Sequence, residues 1–277
     1  MCRFTLYLGP PIKLSSLLLD PAHSLIRQSS HSHERDEPLN GDGFGVGWYT
    51  REPAEHPAVF RSITPAWNNR NLRNLARVIA SSCILAHVRA ATLWSGVNEA
   101  NCHPFRYDNY LFMHNGDIGN FMNIRRKLLD SVCDDAFNNV YGSTDSEHFF
   151  AIIIDELLKR RSVGLIDLAE ALHSAIQRVR HLVMNHGDFH PSYLNVAIAD
   201  GHVAVASRYT DDPHHDPESL YYFNGQLYDQ EARDDECPGA VLVSSERLTN
   251  QHGWLEVPPN HIIMLDRLQP PQLMQCT

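Results

Sequence analysis

Residues 2–8 read Cys2-Arg3-Phe4-Thr5-Leu6-Tyr7-Leu8, and the interpretation of the whole chain turns on them. Phe4 to Leu8 is a β-like run of aromatic, β-branched and aliphatic residues, expected to stop at Gly9-Pro10-Pro11. The cysteine directly after the initiator is small enough to permit removal of Met1. The new terminus then carries a thiol and an α-amine on one residue. That amine has an ordinary pKa of about 7.7–8.0, so a useful fraction is unprotonated near neutrality. It can take the thiol proton, directly or through a water, and supply the reactive thiolate. Taken alone, Cys2 reads more simply as an ordinary second residue, so the rest of the chain must decide.

Working outward, Leu14–Leu19 suits a short helix ended by Pro21. Residues 29–42 are polar, contain Pro and Gly, and read as a long loop, a candidate lid over a site. Gly43–Tyr49 alternates glycine with large apolar residues, as in a strand approached closely by another backbone or a ligand. Strands follow at Val59–Ile63 and Cys83–Arg89 with a helix near Asn69–Ile79 between them, then Tyr110–His114, ended by Asn115-Gly116. The middle is helical: Phe121–Leu129, then Asp145–Leu158 behind the T-x-x-E capping signature Thr144 to Glu147. Leu165, Leu168, Leu172, Ile176, Val179 and Val183 form an amphipathic stripe. Strands return at Leu194–Ala199 and His202–Ser207 around Asp200-Gly201, and at Leu220–Phe223, Ala240–Ser244 and His261–Leu265. Strands, a helical block, then strands again imply α+β layering rather than repeating βαβ units. No repeat or low-complexity linker interrupts the chain, so 2–277 reads as a single domain.

The 277 residues are 43% hydrophobic, enough for a large core. The net charge of −10 repels phosphate backbones, which argues against nucleic acid as a partner. No apolar run approaches the roughly 20 residues that span a bilayer, and no secretory signal opens the chain, so the expected location is the cytoplasm, away from membranes. The six cysteines form no CxxC pair. Histidine pairs at His31/His33, His186/His190 and His214/His215 sit in loop-like surroundings without HExxH spacing, and no metal site is expected. Cys102 reads as a buried structural cysteine.

Four further segments carry chemistry, each ambiguous alone. Arg89 offers a planar fork for a carboxylate, and Thr92 a hydroxyl for the same group; the plain alternative is a surface ion pair and a strand-end hydroxyl. His114-Asn115-Gly116 can aim an amide and a backbone N–H at a developing oxyanion, or simply turn the chain. Asp145 at a helix start can receive an ammonium, or only cap the helix. Together a nucleophile, an oxyanion hole, a carboxylate clamp and an ammonium receptor describe a site for a free γ-glutamyl group.

In this order the motifs resemble the class II glutamine amidotransferases of the N-terminal-nucleophile hydrolase superfamily. The matching residues are Cys2-Arg3-Phe4, Asn40 to Gly45, His87 to Thr92, Asn101-Cys102-His103-Pro104-Phe105, His114-Asn115-Gly116, Gly142 to Glu147, and Ser244-Ser245-Glu246-Arg247-Leu248 with Trp254. The resemblance covers nearly the whole chain. It is nearest to stand-alone forms, such as the amidotransferase-like subunit of the yeast glutathione-degradation complex and the γ-glutamyl hydrolase of ergothioneine biosynthesis. Pro21 to Ser24 and Thr64 to Asn69 carry the likeness to the former. One departure stands out: the large biosynthetic members carry Arg-Tyr-Pro-Thr where this chain has Arg89-Ala90-Ala91-Thr92.

The resemblance implies a four-layer α/β/β/α sandwich. It implies an amidohydrolase that cleaves the γ-amide of glutamine or a γ-glutamyl compound through a Cys2 thioester, without metal or organic cofactor. Cys2, Asn115 and Gly116 would be catalytic, and Arg89, Thr92, Asp145 and His114 would bind substrate. Released ammonia would pass to a synthetase partner; a γ-glutamyl-peptide hydrolase would instead work beside a peptidase partner. A non-catalytic subunit that binds γ-glutamyl ligands is the remaining alternative.

Overall fold

The computed structural model describes residues 2–34, 39–50, 56–91, 96–160, 163–188, 190–225 and 239–276. The first strand, β1 (Arg3–Lys13), runs past the expected stop at Gly9-Pro10-Pro11. Its pairing with the neighbouring strand shifts register between Leu8 and Ile12. Proline lacks an N–H to give, and it is tolerated within a strand where the ladder is interrupted in this way.

Helices α1 (Ser15–Leu18) and α2 (Leu25–Gln28) follow, then β2 (Phe44–Trp48), β3 (Ala58–Ser62), α3 (Arg70–Ala76), β4 (Ala80–Val88), β5 (Phe105–Tyr107) and β6 (Tyr110–Asp117). The helical block is α4 (Phe121–Asp130), α5 (Asp134–Asn138), α6 (Asp145–Leu158) and α7 (Leu165–His186). The last part holds β7 (Tyr193–Ala199), β8 (Val203–Arg208), β9 (Tyr221–Asn224), β10 (Val241–Ser244), β11 (Trp254–Glu256), β12 (His261–Asp266) and β13 (Gln272–Gln275).

The strands form two antiparallel sheets, β11-β9-β10-β1-β4-β2-β3 and β13-β12-β8-β7-β6-β5. Alternation along each central strand assigns its side chains to separate cores. Phe4, Leu6 and Leu8 of β1 meet Cys83 and Leu85 of β4 and Leu111 and Met113 of β6 between the sheets. Tyr7 of β1 and Ile84, Ala86 and Val88 of β4 face the opposite way, onto α1, α2 and α3. Phe112 of β6 faces α6 and α7. The central strands are therefore buried on both faces, which is why the opening run is apolar almost without a break. The result is a four-layer α/β/β/α sandwich of the N-terminal-nucleophile hydrolase type.

The stripe expected on α7 is the buried one: Leu168, Leu172, Ile176, Val179 and Val183 all lie in the outer core. Burial of each such side chain contributes about 1.5–3 kcal/mol. No helix among the described residues is long and apolar enough to cross a membrane.

Candidate active site

The start of β1, the end of β4 and the later part of β6 meet at one end of the sandwich. Arg3 pairs with Val88, so Cys2 sits beside the residues that leave β4. Its half-buried thiol donates to the Ala90 carbonyl at 3.6 Å. The next turn is stitched to the glycine-rich strand: the Arg89 N–H donates to the Gly43 carbonyl at 2.8 Å, and the Asp42 N–H donates to the Arg89 carbonyl at 3.0 Å. The Ala91 N–H donates to Asp42 Oδ2 at 2.8 Å. A proline at 91, as in the large biosynthetic members, has no N–H for that bond. Arg89 is 3% exposed, and its Nη1 donates to the Gly96 carbonyl at 3.3 Å. Thr92 lies outside the described residues, as do positions 35–38 of the expected 29–42 lid.

The glycines of β2 explain the strand's unusual composition. A Cβ on Gly45 would lie 2.1 Å from the His103 carbonyl oxygen, so the 101–105 segment rests directly on the backbone of β2. Cys102, expected to be structural, is fully buried, and its thiol donates to backbone carbonyls of Asn98 and Ser62. Burial raises its pKa against the opposing pull of Arg89 and Arg61.

Across the sheet interface, His87 Nε2 donates to the His114 carbonyl at 3.1 Å, just before Asn115. The His87 and His103 rings lie tilted against each other, centroids 4.2 Å apart. Burial pushes the pKa of His87 down to about 3, and burial also lowers His103 and His114. All three rings are therefore neutral near pH 7 and add no charge beside Arg89. His114 Nδ1 lies 2.9 Å from Ser146 Oγ, and its Nε2 lies 3.0 Å from the Tyr193 carbonyl.

Asn115 and Gly116 do not end the strand in a turn, the plainer of the two readings for this pair. Both lie inside β6, paired with Asn195 and Leu194 of β7. Gly116 has φ +145°, and a Cβ there would come within 1.9 Å of the Tyr193 carbonyl oxygen. Glycine is required by that contact, not by a turn. Asn115 is 1% exposed, yet neither atom of its side-chain amide has a hydrogen-bond partner among the described residues.

Asp145 opens α6. Its Oδ2 accepts the Ile118 N–H at 2.9 Å and its Oδ1 accepts the Ser146 N–H at 2.8 Å. Thr144 caps the helix by accepting the Glu147 N–H at 3.3 Å. Glu147 does not return to Thr144. Its carboxylate reaches back to accept the N–H groups of Tyr141 and Gly142 at 3.0 and 2.5 Å, bracing the turn before Asp145. Hydrogen bonds thus run from Cys2 to the turn after Arg89, from His87 to the His114 carbonyl beside Asn115, and from His114 through Ser146 to Asp145.

A second cluster, not assembled by sequence reasoning, adjoins Cys2. Arg3 is fully buried; its Nη1 donates to the Cys2 carbonyl at 3.0 Å and its Nε to Glu246 Oε1 at 2.7 Å. Ser32 Oγ donates to the same oxygen at 2.5 Å. The other oxygen, Oε2, accepts the His33 N–H at 3.0 Å and lies 2.5 Å from His23 Nε2. Only the Ser244 to Leu248 motif and the basic residue after Cys2 hinted at it in sequence. Donor atoms of His23, His33 and Glu246 lie within 4.8 Å of one another, the one such metal-capable trio among the described residues. Four partners already occupy the Glu246 oxygens, however, so the carboxylate is a hydrogen-bond hub rather than an open ligand. Although burial alone would raise it, the bonds from His23, Ser32, Arg3 and the His33 backbone hold its pKa well below the usual carboxylate range.

Comparison with known proteins identifies the family. The family model for class II glutamine amidotransferases matches residues 29–275. The chain is 40% identical to the probable glutamine amidotransferase DUG3 of Saccharomyces cerevisiae, over 96% of this chain and 82% of that protein. It is 31% identical to the gamma-glutamyl-hercynylcysteine sulfoxide hydrolase of Mycobacterium tuberculosis, over 76% of this chain and 87% of that one. A class-II glutamine aminotransferase domain protein of Silicibacter pomeroyi superposes with a TM-score of 0.70 at 27% identity, covering both chains completely. Sandwich, motifs and relatives agree: this chain belongs to the class II glutamine amidotransferase family.

Proposed function

We propose that the chain, with Met1 removed, hydrolyses the γ-amide of glutamine or of a γ-glutamyl compound with Cys2 as nucleophile. Arg89, with Thr92, holds the substrate α-carboxylate in a bidentate clamp. Asp145 holds the α-ammonium, with His114 fixing the helix start through Ser146. The Cys2 thiolate adds to the γ-carbonyl carbon, and the carbonyl electron pair moves to oxygen. The Asn115 amide and the Gly116 N–H stabilise that oxyanion. As the C–N bond breaks, the leaving amine takes a proton from the Cys2 α-ammonium. Water then cleaves the γ-glutamyl thioester, returning the thiol and releasing glutamate. The chemistry uses no metal or organic cofactor.

The observation that carries this reading is the Asn115 side chain. A buried amide without partners costs about 1–3 kcal/mol, and such a group is retained where it meets something during turnover. The test is a product assay on processed protein with glutamine and a panel of γ-glutamyl amides and peptides. Cys2→Ala should abolish release while leaving ligand binding by calorimetry within a few-fold. Full activity in that variant ends the proposal, and activity in protein that retains Met1 would show that the free α-amine is not required.

A second reading concerns the leaving group. The mycobacterial relatives are named as hydrolases of a γ-glutamyl conjugate, which favours release of a larger amine over ammonia. Release of an amino acid or peptide would make this a γ-glutamyl hydrolase whose product suits a peptidase partner. Ammonia would instead call for a synthetase partner.

A further inference from the structure

We propose that Glu246 is a positioning residue for Cys2, acting through Arg3; this rests on Cys2 being the nucleophile of the proposed reaction. β1 begins its pairing at Arg3, one residue after Cys2. Arg3 Nη1 donates to the Cys2 carbonyl at 3.0 Å. The carbonyl oxygen and Cα of residue 2 lie in one peptide plane. Pinning the oxygen therefore pins that plane and the Cα from which the amine and the thiol both project. A first residue has no preceding peptide to do this.

The guanidinium can serve as a rigid strut only if its own position is set. Glu246 sets it through the 2.7 Å bond to Nε. Ser32, the His33 backbone and His23 orient the carboxylate in turn. His23 is itself stacked on His33, ring centroids 3.9 Å apart. The segment carrying Glu246 is tied to the same strand: Phe4 N–H donates to Ser245 Oγ and Ser245 N–H to the Phe4 carbonyl, both at 3.0 Å. The only other carboxylate salt-bridged to Arg3 among the described residues is Glu218, 3.8 Å from Nη1 and too far for a hydrogen bond. A buried ion pair serving stability alone has no need to end on the carbonyl of Cys2. This one does.

The experiment compares Glu246→Gln with the parent, both shown by intact mass to have lost Met1 and by circular dichroism to be folded. Two quantities are read: steady-state kcat and KM, and the rate at which iodoacetamide alkylates Cys2. The second is located by peptide mass because Cys133 is also exposed. Expected are a kcat loss on the order of 10–100-fold with KM changed less than about three-fold, and an alkylation rate altered at least about three-fold. If kcat and alkylation both stay within about two-fold of the parent, Glu246 does not position Cys2. Arg3→Lys serves where Glu246→Gln does not fold. It keeps the charge beside Glu246, but a single ammonium replaces the fork that spans two acceptors, and the same limits decide. If the parent turns over no γ-glutamyl substrate, the proposed function fails while alkylation still decides the positioning role.

Discussion

Single residues carry the sharpest conflict between stability and chemistry in this molecule. Asn115 is buried and its amide is unpartnered among the described residues, so removing the amide should not weaken the fold. Asn115→Ala is expected to lower kcat about 10²–10³-fold, the usual cost of losing one oxyanion donor. Its melting temperature should stay within about 2 °C of the parent, because lost packing and the removed unsatisfied group offset each other. A large drop in melting temperature with kcat unchanged would make Asn115 structural. The next position behaves in the opposite sense. Gly116→Ala puts a methyl within 1.9 Å of the Tyr193 oxygen at a φ of +145°. Relief requires prising β6 from β7, at a cost of about 3 kcal/mol or more, which a denaturant titration would register directly.

At the scale of elements, the start of α6 shows how a cap can also aim a functional side chain. Thr144→Ala removes the bond to the Glu147 N–H and should cost about 1 kcal/mol, or roughly 2–4 °C in melting temperature. Glu147→Gln should spare that cap yet loosen residues 141–144, because its carboxylate accepts from the Tyr141 and Gly142 N–H groups. It should therefore raise KM by disturbing Asp145, with a smaller effect on melting; equal KM in variant and parent would separate the brace from the site. The helix itself was legible in the sequence from one end to the other, because a capping signature and a long apolar pattern agree locally. So were the stripe of α7 and the hairpin of β7 and β8. What misled was punctuation. Gly9-Pro10-Pro11 and Asn115-Gly116 carry turn chemistry, but tertiary pairing with β4 and β7 holds both inside strands. The short strands β5, β11 and β13, three or four residues each, have no periodicity to read. Arg89, Asp145 and Asn115 are legible as members of motifs. The link from Glu246 to Arg3 spans 243 positions and has no local signature.

For the whole molecule, the four-layer packing has an electrostatic consequence. His87, His103, His114 and His148 are buried with lowered pKa values, burial being the first cause in each, and His87 reaches about 3. In the unfolded chain each titrates near 6.5. Between those limits the unfolded state binds protons that the folded state refuses. Stability is therefore complete above about pH 6.5 and is lost as pH falls below it, with a slope approaching about 1.4 kcal/mol per pH unit for each such histidine. Two carboxyls work the other way. Burial raises Glu147, and Asp117, although an exposed residue, rises to about 6 through desolvation of its carboxyl and the nearby Asp145. A carboxyl with a raised folded pKa binds its proton more readily in the folded state, which adds stability as pH falls toward about 4. Four histidines against two carboxyls leave a net loss. Below about pH 4 the carboxylates held down by hydrogen bonds and ion pairs, Asp155 and Glu246 among them, add to it. Urea titrations should accordingly give a constant unfolding free energy from pH 8 to 7 and a decline from about pH 6.5 to 4.5. The decline should be shallower in His87→Gln, which no longer titrates at that position. A flat profile across that interval would mean that these buried histidines are not held neutral by the fold.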